Sequence, residues 1–298
     1  MKHNYIQRFL FRELSIRGQV IQLHEAWQAM IKDRHYPPAI TKLLGELTAF
    51  SVIMATGMKH TGKITLQIQG SGPITLLVVE VTHDLKIRGM AKTNQTVKEQ
   101  ATLDELLGDG QILVTLENTQ TNHHFQSYVE RVGDSIIDAF ENFLSQSEQL
   151  PSKLWLTANE DALGGVLIQK MPDSDERDTD GWNRVYSVSS TVTDEELSQL
   201  EPEVLLHRLF HEEEIELFET QAVQYECPQD KARVDTMLLS LGEEEVRKIL
   251  KEQGEIVIHN EICNFHVRYG EAEVNALFAT AAQEDLGEIE HSNSSTLQ

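Results

Sequence analysis

The sequence predicts an α+β protein. It has a large N-terminal domain of antiparallel sheet and helices over 1–172, an acidic helical linker over 173–222, a small C-terminal domain over 223–280 and a disordered tail over 281–298. Three observations carry this reading. Residues 63–132 hold successive short runs of alternating or continuous apolar residues between turn residues, the mark of strands. Residues 39–58 and 136–144 instead repeat apolar side chains at helical spacing. At Asp173-Ser174-Asp175-Glu176-Arg177-Asp178-Thr179-Asp180 the composition turns abruptly charged and non-periodic, as at a domain boundary.

In chain order, Leu23, Trp27 and Met30/Ile31 recur at helical spacing within 19–32 and predict a first helix. Pro37-Pro38 starts a second, over 39–58, since proline is tolerated in a first turn. Lys42 and Glu46 interrupt its broad apolar face, so it is a core helix, not a membrane span. Strands follow at 63–69, where Ile64, Leu66 and Ile68 alternate with polar residues, and at 74–81. Those at 85–91, 111–117 and 125–132 complete an antiparallel meander. Gly133-Asp134 caps a helix carrying Ile136, Phe140 and Leu144 on one side. Strands at 153–157 and 165–169, around a turn containing Gly164-Gly165, close the domain at Met171-Pro172. In the linker, Thr193-Asp194-Glu195-Glu196 starts a helix, and Leu205-Leu206 with Leu209-Phe210 form an apolar stripe that either packs permanently or docks and detaches. The last domain has one helix over 234–253 ended by Gly254, a strand at 256–259 and a short strand to Tyr269.

The 298 residues, 40 % hydrophobic and 24 % charged, suffice for a real core. The net charge of −23 argues against nucleic acid and against an anionic membrane surface. It suits solubility in general, and it would also keep a complex with a half-unfolded protein dispersed. The N-terminus lacks the apolar core of a secretion signal and no run long enough to span a bilayer occurs, so a cytoplasmic protein is expected. Gly70-Ser71-Gly72 joins two strands and opens no helix, so it is not a phosphate loop. No nucleophile elbow, His-Glu-x-x-His pair or paired Cys–His signature appears, and an enzyme is not expected.

Chemistry concentrates at 225–269, which holds both cysteines, Cys227 and Cys263. Structural zinc takes four tetrahedral nitrogen or sulfur ligands, usually from paired cysteines. Each turn here has one sulfur, and the partner slots hold Gln229 and Asn260, neutral amides that bind zinc poorly. Cys263-x-x-His266 has acceptable ligand spacing, and His259 and His266 with the two cysteines would make a rebuilt Cys₂His₂ set. The plain alternative is that both cysteines are small buried hydrophobes. Acidic neighbours Glu226, Asp230 and Glu261 disfavour a reactive thiolate, while Lys231, Arg233 and Arg268 oppose them. His123-His124 fits no ligand pattern.

Several stretches, in order and spacing, are similar to a known family: Arg17-Gly18; Leu66-Gln67-Ile68-Gln69-Gly70-Ser71-Gly72-Pro73; Arg88-Gly89-Met90-Ala91; Ser147-Glu148-Gln149-Leu150-Pro151; Gly164-Gly165-Val166-Leu167-Ile168-Gln169 with Met171-Pro172; and Leu209-Phe210-His211-Glu212-Glu213. Together they resemble the heat shock protein 33 family, redox-regulated holdase chaperones of bacteria, over almost the whole chain. The resemblance implies an ATP-independent holdase that binds unfolding proteins through apolar surface on the core and linker, a linker that unfolds on activation, and a homodimer accompanying activation. It makes the C-terminal domain a redox switch built on zinc held by Cys-x-Cys and Cys-x-x-Cys. Here those motifs read Cys227-Pro228-Gln229 and Asn260-Glu261-Ile262-Cys263, so zinc, the family's cofactor, is not expected to be held. Cys227 and Cys263 are the redox-switch candidates, and their cross-link is the one intramolecular disulfide available. Closing that loop would stabilise the domain by about 3–4 kcal/mol, locking it where the family's oxidation opens it. Control is therefore expected to be weakened or redox-independent. The alternative is a metal-free interaction module without holdase activity.

Overall fold

The structure, a computed structural model, describes residues 4–98, 101–228 and 231–280. Its elements run β1 (Asn4–Phe11), β2 (Ile16–Leu23), α1 (Glu25–Ile31), α2 (Pro38–Ala55), β3 (Gly62–Gln69), β4 (Ile74–Thr82), β5 (Lys86–Thr93), α3 (Leu103–Leu107), β6 (Gln111–Asn118), β7 (His123–Val129), α4 (Ile136–Glu148), β8 (Ser152–Ala158) and β9 (Leu163–Lys170). There follow α5 (Ser174–Arg177), α6 (Gly181–Ser189), α7 (Asp194–Gln199), α8 (Pro202–Phe210), β10 (Ile215–Ala222), β11 (Gln224–Tyr225), α9 (Lys231–Leu241), α10 (Glu243–Gln253), β12 (Ile256–Asn260) and β13 (Phe265–Tyr269). Contacts divide the chain into two units, Met1–Cys227 and Pro228–Gln298.

The first unit contains a five-stranded sheet in the order β10-β1-β2-β9-β8 and a six-stranded sheet in the order β11-β5-β4-β3-β6-β7. Helix α2 touches strands of both. By length and composition it could cross a bilayer, yet it is largely buried. Its Leu43, Leu44, Leu47, Phe50 and Ile53 join Ile6 and Ile21 of one sheet and Ile64, Leu66 and Val79 of the other in a single cluster. Phe50 stacks on Phe140 of α4 with ring centroids 3.9 Å apart. Burial of large side chains of this kind, each worth about 1.5–3 kcal/mol, is what holds sheet, helix and sheet together.

The opposite face of the five-stranded sheet has its own apolar cluster. Phe9, Phe11, Ile16, Val20, Val166 and Ile168 are covered there by Val185 of α6, Leu197 of α7 and Leu205, Leu206, Leu209 and Phe210 of α8. Phe11 meets Phe210 edge-to-face at 4.9 Å, a favoured aromatic geometry. Thr193 begins α7 with a capping box: its side chain accepts from the Glu196 amide and Glu196 reaches back.

The structure departs from the sequence expectations at several places. Residues 19–23 are not helical. They finish β2, which pairs with β1 on one side and β9 on the other, and the β-branched run Ile16, Val20 and Ile21 outweighs the helical spacing of Leu23 and Trp27. The meander is broken: β6 pairs with β3, not β5, because the segment carrying α3 takes the chain across the sheet. The cap of α4 is Ser135, with Asp138 completing its capping box, rather than Gly133-Asp134. The segment expected as a helical linker is helical from α5 to α8 but ends in β10, which pairs antiparallel with β1. Finally, the single helix expected over 234–253 is two, broken at Gly242, whose φ of 86° lies in the left-handed region that glycine alone enters freely. The tail at 281–298 lies outside the described residues.

In the second unit β12 and β13 form a hairpin. Leu238, Val246, Ile256, Val267, Tyr269 and Val274 make its core, a small set for independent stability. The Tyr269 hydroxyl donates to Asp235 Oδ1 at 2.6 Å, and Gly254 ends α10 in the left-handed conformation.

Candidate functional site

Cys227 and Cys263 are joined by a disulfide. Each cysteine is positioned by its own local structure. Cys227 leaves the sheet just after β11, which runs parallel to β5, and the residue before it is pinned twice. The Glu226 amide donates to the Ile87 carbonyl at 3.2 Å, and Glu226 pairs with Lys86 at 2.7 Å.

Cys263 sits in the turn joining β12 to β13. Asn260 shapes that turn, its Oδ1 accepting the Cys263 amide at 3.2 Å, and Asn264 occupies the left-handed region with φ 49°. Asn260, read from sequence as a degenerate ligand position, is thus a turn-forming residue here. His259 and His266 are directly opposite one another on the hairpin, and their rings stack at 4.2 Å and 12°. His259 Nε2 is also within 3.3 Å of Asn264 Oδ1. Face-to-face rings do not converge their nitrogens on one point. Gln229 lies outside the described residues.

A second arrangement holds α7 on the five-stranded sheet, and sequence reasoning missed its role. Gln22 and Gly164 are register partners on β2 and β9. The buried Gln22 side chain donates from Nε2 to the carbonyls of Leu197 and Leu200, both at 3.3 Å, and accepts from the Tyr5 hydroxyl at 3.0 Å. Gly164 lets the end of α7 come down: a Cβ there would stand 2.1 Å from the Leu197 carbonyl oxygen. Glycine within a strand is the available sequence signal for such a close approach. At Gly164-Gly165 the sequence suggested a turn instead.

Glu46 of α2 is buried, 3.9 Å from Lys42. Burial raises its carboxyl to about 7, Lys42 opposing and Asp194 at the start of α7 reinforcing the rise.

A family profile described as "Hsp33 protein" matches residues 4–270, most of the chain. This chain belongs to the Hsp33 family. Among its Hsp33 relatives, the 33 kDa chaperonin of Chromobacterium violaceum is 38 % identical over 278 residues, 93 % of this chain and 94 % of the relative. The 33 kDa chaperonin of Methylobacillus flagellatus is 35 % identical over 290 residues, covering 97 % and 99 %, and that of Nitrosococcus oceani 34 % over 286 residues, covering 96 % and 98 %. The crystal structure of the Thermotoga maritima 33 kDa chaperonin, also an Hsp33, shares the fold with a TM-score of 0.77 at 20 % identity, covering 94 % of this chain and 100 % of the other. Membership makes this Hsp33 chain a chaperone and not an enzyme.

Zinc is the group the Hsp33 family implies. The residues do not fit it. Both sulfurs are spent on each other, the Asn260 amide is engaged in its turn, and among the described residues no three His, Cys, Asp or Glu side chains are grouped to hold a metal. The rebuilt set of Cys227, Cys263, His259 and His266 is not assembled, because a disulfide offers no thiolate and the stacked imidazoles do not converge.

Proposed function

We propose that this chain is an ATP-independent holdase that captures unfolding proteins on the apolar face of the five-stranded sheet when α6–α8 lift off it. In this reading 1–172 is the chaperone core, 173–222 the acidic segment whose helices α6–α8 form the releasable cover, and 223–280 the degenerate switch domain. The observation that carries it is the covered face itself. Aromatic and aliphatic side chains from β1, β2 and β9 are hidden under three short helices of an acidic segment that form a cluster separate from the main core. A cover bound by a small separate cluster can open without unfolding the rest.

Control, in the same reading, is weakened or redox-independent. With no metal held, oxidation has no zinc to release, and the Cys227–Cys263 bridge restrains the small unit instead of freeing it. The protein works in the cytoplasm on non-native clients, and the net charge of −23 keeps the loaded complex dispersed. Homodimerisation on activation is part of this reading.

The test is suppression of aggregation of a heat-unfolding client by reduced, oxidised and Cys227→Ser/Cys263→Ser protein. Comparable protection by all three is expected. Protection confined to oxidised wild type would refute the proposed control. No protection, together with tight stoichiometric binding of one folded partner, would replace the holdase by an interaction module.

A further inference from the structure

Between the five-stranded sheet and the C-terminal end of α2 the first unit keeps a cavity of about 340 Å³. Three strands make its floor. Alternate residues of a strand share a face, so Arg8, Gln19 and Leu167 stand in one cross-strand row and Leu10, Arg17 and Gln169 in the next. Ile53 and Met54 at the end of α2 and Leu144 of α4 line the same space. Ile53, Leu144 and Leu167 belong to the main core cluster, so the cavity lies on the α2 side of the sheet, away from the face that α6–α8 cover.

Its charge is unlike that of the chain. Acidic residues outnumber lysine and arginine 48 to 25, yet this cavity is lined by two arginines against a single glutamate. Among the described residues Arg8 pairs with no carboxylate: its guanidinium lies over the Phe218 ring at the rim, 5.8 Å from the centroid. Arg17 donates from Nε to Gln169 and from one terminal nitrogen to Glu148, both at 2.9 Å, which fixes the side chain and leaves its other terminal nitrogen for a further acceptor. Gln19 Oε1 accepts from the Thr56 hydroxyl at 2.9 Å, and its amide nitrogen is a donor without a protein acceptor among the described residues. Arg8 and Arg17 are diagonal neighbours across β1 and β2, a spacing of about 7–8 Å at which two long side chains can close on one anion.

We propose that this cavity binds a small amphipathic monoanion, a medium-chain carboxylic acid. Arg8, Arg17 and Gln19 hold the carboxylate, and the alkyl chain lies against Ile53, Met54, Leu144 and Leu167. Two guanidiniums and one carboxylate leave a single positive charge, which a monoanion neutralises and a dianion exceeds beside Glu148. The volume is at the small end of ligand pockets, about 300–1,000 Å³, and suits a short chain better than a long one. Beyond the arginines these four side chains carry no strong donor or acceptor. An alkyl chain loses nothing there, whereas a peptide would bury its amides unpaired. Binding here needs no holdase activity.

The experiment titrates the full chain calorimetrically with decanoate, below its micelle-forming concentration, and with decanol. One decanoate per chain is expected, with decanol about tenfold weaker or more. New amide-exchange protection should fall in residues 8–19 and 53–57. Decylammonium, which a net charge of −23 attracts elsewhere on the chain, should not protect 8–19. Arg8→Gln, at an exposed side chain that holds no ion pair, should weaken decanoate about tenfold and leave decanol unchanged. Met54→Trp, which fills the apolar end, should weaken both. Decanoate binding that Arg8→Gln leaves unchanged, or protection confined to 194–210, marks adsorption to apolar surface and overturns the proposal. So does the absence of decanoate binding, or tighter binding of an apolar hexapeptide with a free C-terminus. None of these outcomes bears on client protection, so the holdase reading stands or falls by its own assay.

Discussion

Substituting Gly164→Ala tests whether α7 is held on the sheet by close approach. The added methyl would lie 2.1 Å from the Leu197 carbonyl oxygen, a backbone atom that cannot rotate away. Ordinary contact begins more than 1 Å farther out (about 3.4 Å), so the end of α7 must retreat by roughly that much. Retreat also stretches the two 3.3 Å hydrogen bonds from Gln22. Over-packing of this kind costs about 1–3 kcal/mol and a lost hydrogen bond about 1 kcal/mol. Together, about 2–4 kcal/mol raises the population of the open cover on the order of a hundredfold. Amide exchange within 194–210 should therefore accelerate by about that factor, and aggregation of an unfolding client should be suppressed without any trigger. The comparison is Gly165→Ala, whose Cβ would stand 2.5 Å from Leu156 Cδ2, a side-chain end, and 3.1 Å from the Trp155 carbonyl oxygen, a backbone contact 1 Å looser than that at Gly164. Unchanged exchange and unchanged client protection in Gly164→Ala would refute the reasoning.

Three further outcomes are expected. Because burial raises the folded-state carboxyl of Glu46 from 4.5 to about 7, its contribution to stability is whole below 4.5 and is lost as pH rises towards 7, a total of about 3 kcal/mol. Glu46→Gln should flatten that slope and unfold later than wild type at pH 8, and denaturant titrations at pH 5 and pH 8 that show parallel losses in both proteins would contradict it. Reducing the Cys227–Cys263 bridge, or replacing Cys263 by serine, should destabilise the second unit by about 3–4 kcal/mol, read as earlier melting of residues 231–280 by amide exchange. Freshly purified, reduced protein should carry far less than one zinc per chain by elemental analysis, and a tightly held equivalent would show that the site is complete after all.

The candidate site was legible in part. Cys227 and Cys263 stood out because a lone pair of sulfurs has few chemical uses, and their cross-link was available to reasoning as soon as the missing ligands were counted. Asn260 was legible as a poor ligand but not as the acceptor that shapes the Cys263 turn, since that depends on where the chain folds back. His259 and His266 had ligand spacing on paper, yet facing positions on a hairpin stack them instead.

By itself the sequence determined what local chemistry can determine. The alternation of Ile64, Leu66 and Ile68 made β3, and Pro38 opened α2. Thr193 with Glu196 started α7. Only the tertiary structure decided what depends on distant partners. It drew residues 19–23 into β2 between two neighbouring strands, sent β6 to the far side of β3, and turned the end of the acidic segment into β10. It also gave Gly164 its purpose, because a missing methyl matters only where another backbone comes close enough to need the space. Periodicity reports the face a segment will bury, and pairing and close approach are set by what the rest of the chain brings to that face.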